Sequence, residues 1–146
     1  MPVKRTLERA QKAKREGKAP TTQAGEFVRE EIEHIRHGKH GARSPEQAIA
    51  IGLSKARRAG VKVPPPKEGT TSEETRERAK RDLKAGRRRT TKTASSKRSA
   101  ARRAVLKTES GSAASSKALS EHAKRVAASK GRGRGKSKPA APRSGK

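Results

Sequence analysis

Arg87-Arg88-Arg89-Thr90-Thr91-Lys92 opens a stretch, residues 87–146, in which nineteen basic residues face only Glu109 and Glu121. Guanidinium and ammonium groups at this density do one kind of chemistry: they neutralise phosphates. Release of the condensed counterions then drives binding without any base being read. The candidate contacts begin with Arg87, Arg88, Arg89 and Lys92 and continue with Lys97, Arg98, Arg102, Arg103 and Lys107. Lys124, Arg125 and Lys130 form a further group, and Lys136 and Lys138 close the set behind Arg132 and Arg134. The arginines add planar donors that grip phosphate oxygens in pairs. Residues 87–146 carry net +17 of the chain's +26, whereas residues 1–86, with 21 basic and 12 acidic residues, carry only +9.

Within this stretch Gly131-Arg132-Gly133-Arg134-Gly135-Lys136 is the sharpest short motif. It resembles an AT-hook core, an extended Arg-Gly-Arg lying in a narrow minor groove. Glycines stand where that pattern has prolines, so the extended shape is not preset. The same residues also suit single-stranded RNA.

A second constellation is His34, His37 and His40 with Glu30. A structural metal site needs four placed ligands, and His40 lies beyond Gly38 in a loop. These residues read as helix-end and loop histidines, and no metal and no cofactor is expected. For catalysis the chain offers nothing: no P-loop, no supported Ser/His/Asp arrangement, and no cysteine for a thiol nucleophile or a thiolate site. The expectation is a protein that is not an enzyme.

Composition limits what can hold these residues in place. Seventeen apolar side chains are larger than alanine, and nine of them lie between Phe27 and Val63. One small core fits there, and low hydrophobicity with high charge leaves the remainder short of burial. No apolar run reaches membrane-spanning length, and the helices lack bulky anchors for a lipid surface. The expectation is a soluble protein of the cytoplasm and nucleoid, with no membrane partner.

All the local signals are helical. Residues 3–16 are good helix formers with thin apolar content, so a peripheral helix is expected, ended by Gly17 and Pro20. Thr21 or Thr22 then caps a helix to Gly38 with Ala24, Phe27, Val28, Ile32 and Ile35 in one stripe. Ser44-Pro45-Glu46-Gln47 is the clearest helix start, with Ser44 as cap, Pro45 in the first turn and Gln47 completing a capping box. That helix runs to Ala59 with Ile49, Ile51 and Leu53 as core. Val63-Pro64-Pro65-Pro66 is a stiff spacer. Thr71-Ser72-Glu73-Glu74 opens a charged helix that Gly86 stops. Residues 97–107 and 117–129 are Ala-rich segments expected to become helical when phosphate cancels their self-repulsion, and residues 130–146 suit no fold.

The stretch Arg43 to Gly60, RSPEQAIAIGLSKARRAG, resembles the central motif of a family of short, basic, uncharacterised bacterial proteins that share a QAIAIGLSxARxAG core. The resemblance covers about residues 24–62 and implies a bacterial source without an activity. Residues 87–146 are similar, in composition only, to bacterial linker-histone-like tails.

The fold class that follows is all-α: a small helical hairpin module with a long, largely disordered cationic C-terminal tail. Residues 1–20 form the peripheral helix, 21–62 the hairpin, 63–71 the linker, 72–86 the charged helix and 87–146 the tail. Duplex DNA is the expected partner, bound mainly without sequence preference, as by a histone-like nucleoid-associated protein. Two other readings stay open: a ribosome- or RNA-associated protein, and an adapter whose hairpin docks a protein near nucleic acid. A helix-turn-helix using Arg43, Ser44, Glu46 and Gln47 is disfavoured because the loop between the helices is too long. Oligomeric state is left open.

Overall fold

The computed structural model describes residues 2–88 and 96–134, with side chains described as far as Lys130 in the last helix. Among the described residues there are helices and no strands, as the patterning predicts. Helix α1 spans Lys4–Arg15, α2 Pro20–Arg36, α3 Pro45–Arg58, α4 Glu73–Arg88, α5 Ser96–Thr108 and α6 Ser116–Arg134. A 3₁₀ turn, Gly111–Ala114, joins the last two. No helix among the described residues is long and apolar enough to cross a membrane.

The helix starts follow local chemistry. Ser44 caps α3 by accepting the Gln47 N–H at 3.3 Å, and Ser72 caps α4 by accepting the Thr75 N–H at 3.3 Å. Gln47 reaches back as expected, but to the Arg43 N–H at 2.6 Å, one residue before the cap. Helix α2 departs from expectation. It starts at Pro20 after Ala19, with no side-chain cap, so Thr21 and Thr22 lie inside it. Proline has its φ preset and no N–H to satisfy, so it opens a helix as readily as it ends one.

Helices α2 and α3 form the expected antiparallel hairpin, but small residues make its seam. The buried apolar positions of α3 are Ala48, Gly52 and Ala56, four residues apart, while Ile49, Ile51 and Leu53 are half-buried beside them. A Cβ on Gly52 would stand 2.6 Å from the Val28 Cα, so the two backbones approach too closely for any side chain there. That contact explains why the stretch alternates Ala and Gly with aliphatics. Close approach then lets Phe27, Ala24 and Ala56 pack with Ala10, Val61 and Val63.

Helix α1 docks on this layer through Ala10, Ala13 and Leu7. Helix α4 also docks, burying Ala79 and directing Asp82 to the Ser54 hydroxyl at 2.6 Å and the Arg58 guanidinium at 2.7 Å. Gly86 does not stop α4, which continues to Arg88. It lies against the Arg57 carbonyl, where a Cβ would collide, so it serves close packing rather than a turn. Arg57, 6% exposed, donates to the Val63 and Pro64 carbonyls and fastens the proline segment to the hairpin. Burial pulls its pKa down from the usual guanidinium value.

The segments 97–107 and 117–129 are both helical, and the connection between them docks. Ala113 and Ala114 are buried with Ile35, Ala42 and Ala48 in a second core cluster. The Gly41 N–H donates to the Leu106 carbonyl at 2.8 Å, the Ala42 N–H to Ser110 at 3.0 Å, and Arg36 to Ala114 at 2.8 Å. The folded unit therefore reaches past residue 87 into the basic stretch. The last part of that stretch, residues 135–146, lies outside the described residues.

Candidate nucleic-acid interface and a buried histidine–carboxylate cluster

The expected phosphate contacts fall on three helices. Arg87 and Arg88 end α4 and are exposed. Lys97, Arg98, Arg102, Arg103 and Lys107 stand on α5, all exposed. At 3.6 residues per turn these five spread round most of the helix. Helix α5 itself buries no residue and contains no acid. Its C-terminal end is the part hydrogen-bonded to the core, through the Leu106 carbonyl. On α6, Lys124 and Lys130 are exposed, whereas Arg125 is 2.9 Å from Glu46 Oε1. Among the described residues, none of these cations except Arg125 is in an ion pair.

Arg132 and Arg134 fall in the last turn of α6, so the described part of the expected extended hook is helical. Its two glycines favour no helix, and the turns upstream carry the helix through them. Arg89, Lys92, Lys136 and Lys138 lie outside the described residues.

The first turn of α3 is fully engaged. Glu46 accepts from His122 and from Arg125, both at 2.9 Å, and Arg43 pairs with Glu109 at 3.6 Å. Ser44 and Gln47 are used as caps, so these two side chains of a helix-turn-helix reading are already engaged. The N–H of Glu46 itself, then His122, then Ser44 and Arg125, hold the Glu46 carboxyl down to about 2.

This depression ties α6 to α3 in a pH-dependent way. A carboxyl with a lowered folded pKa contributes its full stability above the ordinary value of 4.5, and loses it as pH falls towards about 2. Glu46→Gln should therefore flatten the acid limb of the melting-temperature profile between those values, measured by circular dichroism. An unchanged acid limb would remove Glu46 as its source.

Two glutamates of α2, Glu30 and Glu31, are buried. Glu30, 6% exposed, receives the Val3 N–H at 3.1 Å and lies 3.7 Å from His34. Glu31 is 1% exposed; its Oε1 is 2.5 Å from His40 Nε2 and its Oε2 is 2.5 Å from Lys55 Nζ. The lysine contact is an ion pair without hydrogen-bond angles, which leaves Oε2 without a hydrogen bond. The His34 and His40 rings meet edge to face with centroids 6.3 Å apart. Burial, and secondarily Lys39, lower the His34 pKa from the usual imidazole value. His37 stays outside, exposed, with Nδ1 2.7 Å from the Glu33 carbonyl. Sequence spacing had singled out Glu30 with His34, His37 and His40; packing selects Glu31, His34 and His40.

The model of a family of unknown function (DUF6496) matches residues 4–67, so over α1 to α3 the chain is similar to that family. No curated protein and no solved structure matches the chain.

Proposed function

We propose that this protein is a non-enzymatic, histone-like DNA-binding protein of the bacterial nucleoid, which grips duplex phosphates with little base preference. The observation that carries the reading is α5, a helix with five exposed cations, no acid and no buried residue, fixed to the core at one end. A helix that covers nothing in its own fold and repels itself gains most from a polyanion beside it. The exposed Arg87, Arg88, Lys124 and Lys130 extend the same cationic surface beyond it. Specific single-stranded RNA is less well served, because Phe27, the one aromatic ring besides the histidines, is 1% exposed and cannot stack on a base.

Fluorescence anisotropy of the full chain tests this against an A·T-rich duplex, a G·C-rich duplex and a structured RNA. With about ten phosphates contacted, log affinity should fall against log salt with a slope near −9, and the two duplexes should differ little. Tighter binding to the RNA at every salt concentration would move the assignment to an RNA-associated protein.

A further inference from the structure

We propose that Glu31, His34 and His40 form a binding site for one divalent cation of the zinc class. Each offers one ligand atom, and the three atoms lie within 4.8 Å of one another. Glu31 and His34 stand one turn apart on α2 and so share a face. His40 is returned to that face by the loop after α2. The bonds from Gly41 and Ala42 to Leu106 and Ser110 hold the loop in place, and a Cβ on Gly41 would collide with the Glu109 carbonyl. The ligands thus come from ten consecutive residues.

Donor chemistry selects the ion. Two imidazoles and one carboxylate suit zinc and its first-row neighbours, whereas magnesium and calcium require oxygen ligands. His40 also carries the outer bond typical of metal-bound histidines: its Nδ1 is 3.0 Å from the Gly41 carbonyl. That bond puts the ring hydrogen on Nδ1 and turns the Nε2 lone pair towards Glu31 Oε1. These two atoms stand 2.5 Å apart. A divalent cation fits between them if the pair opens to about 3.4 Å, the spacing set by tetrahedral bonds of about 2.0–2.2 Å.

Lys55 is the apparent obstacle. It faces Oε2, not Oε1, so it can remain as partner to the oxygen that the cation leaves unused. Its charge weakens the site without closing it. The side chains of His34 and His40 are 17% and 15% exposed, which admits the ion and a water as a further ligand. Occupancy would clamp the loop to which the 106–110 segment is bonded.

Calorimetric titration of the chelator-treated full chain with Zn²⁺, paired with visible absorption of the Co²⁺ form, tests the site. One ion per chain is expected. His40→Gln should weaken it at least about tenfold, and His37→Ala should leave it unchanged. The Co²⁺ form should show the intense visible bands of a four- or five-coordinate site. Absence of stoichiometric uptake by the wild-type chain overturns the proposal. So does full affinity in a His40→Gln chain that retains its helical spectrum. Should that variant fail to fold, a weak six-coordinate Co²⁺ spectrum in the wild-type chain would overturn the proposal equally.

Discussion

Phe27→Ala should leave the chain largely unfolded in dilute buffer, seen as a loss of helical circular dichroism and of the cooperative thermal transition. Phe27 is 1% exposed at the centre of a cluster whose other buried members are Ala10, Ala24, Ala56, Val61 and Val63. No other residue there has comparable bulk, and the half-buried Leu7 and Leu53 only border it. Truncating a buried phenylalanine costs about 3–5 kcal/mol, because the transfer energy is lost and a cavity remains. Small folds lie near the bottom of the range of about 5–15 kcal/mol for whole domains, so the loss is comparable to the total. Val105→Ala is the control: Val105 is 59% exposed on α5 and should change stability by less than about 0.5 kcal/mol. A Phe27→Ala chain that melts near the wild-type temperature would shift the weight of the fold to the second cluster, around Ile35.

The parts of this fold that were legible in the sequence are those that local chemistry determines. Ser44 and Ser72 cap because their oxygens meet an N–H three residues on, and nothing distant is needed. The stripe of α2 was readable because a helix repeats every 3.6 residues. Two features depended on partners far along the chain. Glu31 looks like a surface residue until Lys55 and His40 arrive from elsewhere to neutralise it. Ala113 and Ala114 look like tail composition, and the Ser/Gly-rich sequence around them suggests a break. They are buried because backbone bonds from Gly41 and Ala42 bring that connection against Ile35 and Ala48. No periodicity marks such docking. The α3 seam lies between these cases: Ala48, Gly52 and Ala56 have helical spacing, but a pattern that ranks residues by bulk favours Ile49 and Leu53 instead.

Replacing Lys97, Arg98, Arg102, Arg103 and Lys107 together by glutamine in the full chain should weaken duplex binding about a thousandfold at physiological salt. It should also flatten the salt slope by about 4.5. Each neutralised phosphate adds about 0.9 to the slope, and at physiological salt that contribution is multiplied into affinity. Glutamine keeps α5 helical, since its propensity is close to that of lysine and arginine. None of the five side chains packs against the core, so stability should not change. The docked connection makes these variants preferable to truncation. Cutting at residue 86 would also remove Ala113 and Ala114 from the second cluster, so lost binding and lost packing would be confused. The comparison that decides the matter neutralises an equal number of cations on α1, at Lys4, Arg5, Lys12, Lys14 and Arg15, all of them exposed. If the α1 set flattens the slope as much as the α5 set, binding follows overall charge and α5 has no special place in it. If the α5 set alone does so, the acid-free helix is where the duplex lies.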